Sequence, residues 1–362
     1  MKIVSIVGTR PNFVKIAPIL HVLANKDNHR HFESVLVHTG QHYDYKMSKK
    51  FFEDLEIPRP NFNLNIHQAS ELKQLSMIID RLDDLFKKIN PDLVIVVGDV
   101  TSTLAGAIVA KKNKIKLAHV EAGLRSHDSG MPEEINRILT DRLSDYLFTT
   151  EVSAFNNLTK EGISERKIYF VGNVMIDTLL KNKFEILNRS LKHNGKNYLV
   201  LTLHRQSNVD DQEKFCRIIS EINKLSLKFQ IIFPVHPRTE KNIKKFKLKL
   251  NKNITLIAPQ GYLDFLALCS QAKAVLTDSG GIQEEAVILK VPTITLRENT
   301  ERPITIGCGN NKLFGRKICG LQKLVIEEIK SYTPPSPPKY WDGKAAERIV
   351  KIIAKISKKN NI

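Results

Sequence analysis

Residues 277–286, TDSGGIQEEA, place two acids directly behind an expected anion cradle. The short apolar run AVLTDS stops at Gly280 and Gly281, where a helix is expected to begin and present bare backbone N–H groups to a negative charge. Ser279, Gly280 and Gly281 would form the cradle. If the anion is a nucleotide diphosphate, its ribose lies about one turn away, and a carboxylate is the usual acceptor for vicinal ribose hydroxyls. Glu285 is then the expected ribose clamp. The plain alternative is a surface acid at the favourable end of the helix dipole.

A second anion-seeking element reads GTRPNFVK at 8–15. Pro11 suits the first position of a helix, which leaves Arg10 and Lys15 near an end that already carries about +0.5 charge. Two cations there are unfavourable without an anion, although both side chains could simply reach into water.

Around these residues, apolar runs alternate with amphipathic helical stretches: KIVSIV, SVLVHT, DLVIVVGD, KLAHVEA, YLFTT, YLVLTLH, QIIFPVH, NITLIAP, AVLTDS and TITL. Most are apolar throughout, as strands are when helices cover both sheet faces, so the expected fold is α/β with parallel sheets. Such sheets bind ligands beyond the carboxyl ends of their strands. Arg10, Gln41, Asp99, Glu121, His204, His236 and Ser279 all fall just past such ends. Each has a bland alternative: Asp99 could cap the helix that starts near Thr101, and His236 before Pro237 could be an ordinary loop histidine.

The chain's 362 residues suit two domains, because a single core stops growing near ~250–300 residues. The strand series pauses at 173–197 in a helix and an Asn/Lys-rich connector, which sets the expected boundary: 1–172, then 173–341. PPSPPKYW at 334–341 can be neither helix nor central strand. It leads to a helix at 342–362 whose Ile349, Ile352, Ile353 and Ile356 stripe is expected to dock back onto the first domain.

No apolar run approaches the ~18 residues of a membrane span. The opening strand does not read as a leader peptide. The four cysteines form no CxxC pair, so neither a disulfide framework nor a zinc site is indicated and a cytoplasmic setting is expected. The net charge of +18 raises nucleic acid as a partner. Its lysine runs, KNIKKFKLKLNKN at 241–253 and the C-terminal tail, lack interleaved aromatics and any nucleic-acid-binding motif, which favours a solvated basic surface. No GxGxxG follows the first strand and no GxxxxGK[ST] occurs, so dinucleotide redox and P-loop signatures are missing. A nucleotide sugar fits better.

GTRPNFVKIAP, TGQHYDY, VVGDVTSTLAGA, HVEAGLRS with MPEEINR, LTLHRQSN, TDSGGIQEE and TERP occur in this order over nearly the whole chain. In these motifs the sequence resembles the non-hydrolysing UDP-N-acetylglucosamine 2-epimerases. The resemblance implies a glycosyltransferase-B type fold, two Rossmann-like domains whose parallel sheets face a central cleft. It implies interconversion of UDP-N-acetylglucosamine and UDP-N-acetylmannosamine, no cofactor, and a homodimer. By position it assigns the substrate site to Arg10, Lys15, Asp99, Glu121, His204, Gln260, Phe265, Ser279, Gly280, Gly281, Glu285 and Arg302, with Glu133 as a further catalytic carboxylate. Read from the residues alone, Glu133 could instead pair with Arg137 four places on, and Phe265 could be core or could stack on uracil.

The hydrogen on sugar carbon 2 is not next to a carbonyl, whereas UDP is a good leaving group. The resemblance implies anti elimination of UDP to 2-acetamidoglucal and re-addition with a proton on the other face. Asp99, Glu121 and Glu133 are the candidates for taking and delivering that proton, with the roles left open among them. His204, Arg10 and Arg302 would steady the departing UDP. Three motif positions depart from the family pattern, at Asn12, Ser207 and Ile304, and none is a residue named for the site. In many relatives two glutamines and an arginine hold an activating second substrate; Gln41 matches the first, but Asp44 and Ser70 stand at the others. A glycosyltransferase or a hydrolysing epimerase of the same fold are the rival activities.

Overall fold

The computed structural model describes residues 1–25, 31–40, 51–67, 70–189, 197–315 and 318–359. The chain forms two compact units, Met1–Lys181 with Lys339–Ile362, and Asn182–Pro338. In the first, strands β1 (Lys2–Val7), β2 (Glu33–His38), β3 (Phe62–Asn63), β4 (Leu93–Val97), β5 (Lys116–Ala122), β6 (Tyr146–Thr149) and β7 (Ile168–Phe170) make one sheet. Its spatial order is β3-β2-β1-β4-β5-β6-β7, and every pairing is parallel. The second unit holds β8 (Tyr198–Thr202), β9 (Gln230–Pro234), β10 (Ile254–Ile257), β11 (Ala274–Thr277), β12 (Thr293–Thr295) and β13 (Asn311–Leu313). Their order is β10-β9-β8-β11-β12-β13, again all parallel.

The order explains where the polar residues collect. Each sheet grows outward in both directions from a central pair, β1 with β4 and β8 with β11. The loops leaving those pairs diverge, and an open sheet binds its ligand in the crevice so made. Arg10 and Asp99 follow β1 and β4; His204 and Ser279 follow β8 and β11.

The central strands are buried on both faces because helices pack on each side. Helix Glu71–Ile89 turns Ile78, Leu82, Leu85 and Phe86 inward against Val4, Ile6, Val94 and Val96. Each such side chain contributes roughly 1.5–3 kcal/mol over exposure. In the second unit Phe215, Ile218, Ile219 and Ile222 of helix Gln212–Leu225 do the same against Leu199, Leu201, Ile231 and Phe233.

The units divide after Lys181 and before Lys339, whereas the sequence places the boundaries at 173 and 342. Helix Val174–Lys181 belongs with the first unit because its Val174, Ile176 and Leu179 are buried and Thr178 Oγ1 donates to Val14 O at 2.7 Å. On the return crossing, Tyr340 packs on Phe170 with ring centroids 4.9 Å apart. Gly172, at φ +93°, lies so close beneath Tyr340 that a β-carbon would come within 2.1 Å of its carbonyl oxygen. In helix Ala345–Lys359, Ile349 and Ile353 are buried, while Ile352 and Ile356 are half-buried. The helix packs on Arg10–Leu23 and Val174–Lys181, and Asp177 accepts the N–H groups of Ala345 and Ala346 at its first turn.

Among the described residues no helix is long and apolar enough to cross a membrane. The lysines of residues 241–253 are exposed.

Candidate active site

In the second unit a cavity of about 190 Å³ opens at the ends of β8, β9 and β11, lined by His204, His236, Pro259, Gln260, Phe265 and Ser279 among others. Four of these carry sequence-assigned roles. A larger hollow of 420 Å³ near Cys216, Lys224 and Asn251 gathers none of them. His204 is held by Asp278, whose carboxylate accepts the backbone N–H groups of His204 and Arg205 and lies 3.1 Å from His204 Nδ1. Burial opposes charge on Asp278, but the adjacent His204 and these N–H groups outweigh it and keep the carboxyl below its usual range. His236 precedes helix Pro237–Lys245 and accepts the Arg238 N–H on Nδ1, the capping role its position allowed. Its ring also stands 6.3 Å from that of His204.

Ser279 precedes helix Gly280–Leu289, and no side chain caps this end. The Ser279 side chain thus takes none of the first-turn N–H groups, which a helix N-terminus can offer to an anion. The two acids behind it each have a partner inside the unit. Glu284 pairs with Arg302, Oε2 to Nε 3.1 Å, and Glu285 accepts the Tyr262 hydroxyl at 2.8 Å. All four side chains are buried. Burial first, and the Glu285 charge second, push the Tyr262 phenol well up, so it stays a hydrogen-bond donor. Phe265 and Gln260 are half-buried at the cavity edge, and Gln260 Nε2 donates to Ala258 O.

In the first unit helix Arg10–Leu23 starts at the end of β1, with the Arg10 guanidinium 5.8 Å from the Phe51 ring centroid. Lys15 does not reach into water. It is buried, and its Nζ lies 2.7 Å from Glu121 Oε2. Glu121 sits near the end of β5 at φ +73°, where the β5–β6 register shifts. A positive φ in a non-glycine residue costs on the order of 1–3 kcal/mol and marks a position that its surroundings hold in place.

Asp99 does not cap the following helix, whose N-cap is Val100 without a side-chain bond. Its Oδ2 lies 2.6 Å from Arg137 Nη2. Arg137 also pairs with Glu134. Thus of the two acids of MPEE it is Glu134, three residues away, that pairs with Arg137, and Glu133 is left exposed with no hydrogen bond or ion pair to a described residue. Burial disfavours charge on Glu134, but the Ser126 N–H, Arg137 and the His127 N–H together hold its carboxyl below the usual range.

Arg10, Lys15, Asp99 and Glu121 thus lie at the ends of β1, β4 and β5, with Glu133 in the first turn of helix Pro132–Leu143. Gln41 and Asp44 lie outside the described residues, and Ser70 is the N-cap of helix Glu71–Ile89. Asp278 and Tyr262 carry no sequence signal for the site, and Arg137 shows in the sequence only as a possible partner of Glu133. The spacing of Arg137 from both acids of MPEE was the one available signal for it. Asn12, a departure from the family motif, is fully engaged: Oδ1 accepts from Gly8 N, Thr9 N and Thr9 Oγ1, and Nδ2 donates to Val97 O at 2.9 Å. Among the described residues no three His, Cys, Asp or Glu side chains are grouped to hold a metal.

The family model for UDP-N-acetylglucosamine 2-epimerase matches residues 24–354. The chain belongs to the UDP-N-acetylglucosamine 2-epimerase family. The chain is 44% identical to the UDP-N-acetylglucosamine 2-epimerase of Methanocaldococcus jannaschii, over 98% of this chain and 99% of that one. The crystal structure of the Methanocaldococcus jannaschii enzyme in complex with UDP-GlcNAc and UDP superposes with a TM-score of 0.90 at 44% identity, covering 98% of this chain and all of the other. A Pseudomonas aeruginosa UDP-2,3-diacetamido-2,3-dideoxy-D-glucuronate 2-epimerase is 36% identical over 98% of this chain and 100% of its own length. One relative is thus named for a modified sugar, and this chain has the fold of two Rossmann-like units of glycosyltransferase-B type.

Proposed function

We propose that this chain interconverts UDP-N-acetylglucosamine and UDP-N-acetylmannosamine. The observation that carries the reading is the second unit's cavity: His204, Gln260, Phe265 and Ser279, assigned by position through the family resemblance, line one hollow beside an uncapped helix N-terminus, with Glu285 buried in that same helix. A helix end and cationic side chains suit a diphosphate, a carboxylate suits the ribose, and a half-buried ring suits the base.

The chemistry is an elimination and its reversal. A carboxylate takes the hydrogen on carbon 2, the C–H electrons form the C1–C2 double bond, and the C1–O bond breaks with its electrons on the diphosphate. UDP then re-adds at carbon 1 while a proton reaches carbon 2 from the opposite face. Asp99, Glu121 and Glu133 supply these proton transfers. Asp99 and Glu121 already lie against Arg137 and Lys15, which supports their standing as carboxylates ready to accept a proton. His204, Arg10 and Arg302 steady the charge on UDP.

The enzyme works in the cytoplasm, where nucleotide sugars are made, and pairs with a second copy. Ile135, Ile138 and Leu139, exposed at helical spacing on Pro132–Leu143, support that pairing. The test is incubation with UDP-N-acetylglucosamine alone. Formation of UDP-N-acetylmannosamine without acceptor supports the reading; release of free N-acetylmannosamine would favour a hydrolysing enzyme, and no turnover without an acceptor would favour a transferase.

A further inference from the structure

Beneath the acid loops of the first unit lies a buried charged trio that the reaction above does not use. His119 stands on β5 two residues before Glu121 and is fully buried, as are Asp141 and Arg125 beside it. His119 Nε2 lies 2.8 Å from the carbonyl oxygen of Gly98, the residue before Asp99, and Nδ1 lies 2.7 Å from Asp141 Oδ1. A carbonyl oxygen can only accept, so Nε2 carries the hydrogen of that bond. The other oxygen of Asp141 accepts from Arg125 Nη2 at 2.7 Å and from the Gly123 N–H at 3.1 Å. An ionised carboxylate takes such contacts, and toward Nδ1 it is again an acceptor. The ring therefore donates at both ends.

Gly98 is fastened from its other side as well, since its N–H donates to Val120 O at 3.1 Å. The turn that carries Asp99 is thus tied to β5 immediately before Glu121 through both polar groups of one glycine. Asp141, reaching from helix Pro132–Leu143, ties the ring to Gly123 just beyond Glu121. Glu121's left-handed backbone sits between these two attachments.

We propose that His119 is a positioning residue for the reactive carboxylates: by donating to Gly98 and Asp141 at once it fixes the separation of Asp99 and Glu121. This rests on the reading of those two acids as the groups that handle the carbon 2 proton. A displacement of about 1 Å in such a pair is enough to cost on the order of 10²-fold in rate.

Two substitutions in the full-length enzyme separate the bonds. In His119→Gln the amide reaches where Nε2 stood and keeps the donor to Gly98; in His119→Asn it reaches only as far as Nδ1 and keeps the donor to Asp141. We expect kcat to fall about 10²-fold in His119→Asn and about 10-fold or less in His119→Gln. Calorimetric UDP affinity should stay within about twofold of wild type in both, because His119 bonds none of the groups assigned to UDP. Equal kcat losses in the two variants, or losses that follow their melting temperatures, would overturn the proposal. A readout that needs no variant is the ring spectrum of ¹⁵N-histidine-labelled wild-type protein, where His119 should show hydrogen on both nitrogens; a bare nitrogen overturns the bonding scheme even if neither variant folds. A wild-type enzyme that fails to epimerise would overturn the assigned reaction and this role together, whereas an active wild type with equal variant losses overturns the positioning role alone.

Discussion

Replacing Gly98 with alanine should loosen the acid site through backbone and side chain together. At φ +68° an alanine costs about 1–2 kcal/mol relative to glycine. Its β-carbon would stand 2.9 Å from Lys15 Nζ, with no other atom nearer than 3.7 Å. The end of a lysine usually swings away at little cost. Here it is held 2.7 Å from Glu121 with both side chains buried, 7% and 2% exposed, and breaking a buried pair outright costs about 3–5 kcal/mol. A partial retreat that stretches the pair puts the total at about 2–4 kcal/mol, and turnover should fall about 10²-fold as Glu121 loses its placement. Trp341 reports on the correct unit: it is the only tryptophan, buried, with Nε1 3.4 Å from Thr150 O. Urea unfolding followed by its fluorescence, with turnover followed by NMR, makes the measurement. Measured against Lys15→Met, which already lacks both the atom that is struck and the pair with Glu121, Gly98→Ala should cost only the backbone part. A Gly98→Ala enzyme within about 0.5 kcal/mol of wild type and fully active would refute the reasoning.

Glu133→Gln should lose about 10²-fold or more in turnover with an unchanged melting temperature, because the side chain is exposed and unbonded among the described residues, whereas Glu134→Gln should lower the melting temperature by putting an NH2 group where one carboxylate oxygen accepts from Ser126 and pairs with Arg137; the reverse pattern would exchange their roles. Tyr262→Phe should weaken UDP binding about 10-fold by freeing the Glu285 carboxylate from its donor, and should reduce discrimination against 2′-deoxy-UDP; calorimetry showing unchanged discrimination would remove Glu285 from the ribose. Asp177 is pushed up to about 6, chiefly by burial, above the ~3.9 of an unfolded aspartate. Its contribution to stability is therefore fully present below pH ~4 and is lost as pH rises through about 6, a change of about 3 kcal/mol at ~1.4 kcal/mol per unit. Asp177→Asn should flatten that part of the stability curve, and identical pH slopes in both proteins would contradict the assignment.

How much of this was legible in the sequence follows from what each feature depends on. The long central strands could be read because burial on both faces makes them apolar throughout, and KLAHVEA at 116–122 matches β5 residue for residue. The strands that escaped, Phe62–Asn63, Ile168–Phe170 and Asn311–Leu313, have two or three residues each and take part only through the register of a neighbour. Helix Val174–Lys181 could not be assigned to a unit from its own sequence, since its Thr178–Val14 bond spans 164 positions. The same limit applies to the site. Residues past strand ends were visible as a set, but Lys15 with Glu121 and Asp99 with Arg137 are pairings made by the sheet. At MPEE the choice between the two glutamates turned on one residue of helical phase: the helix points Glu134 inward to Ser126 and Arg137 and leaves Glu133 in solvent. Asn12 departs from the family motif, yet its amide both accepts at the start of the helix and donates to β4, and a carboxylate would not supply that donor.

The central claim is that carbon 2 loses and regains its hydrogen by elimination and re-addition of UDP. Incubating the enzyme with UDP-N-acetylglucosamine alone in D₂O, and following carbon 2 by NMR, tests it most directly. The account predicts deuterium at carbon 2 of UDP-N-acetylmannosamine and of the recovered starting material, with a little free UDP and 2-acetamidoglucal on long incubation. Epimerised product that keeps its original hydrogen at carbon 2 would contradict it.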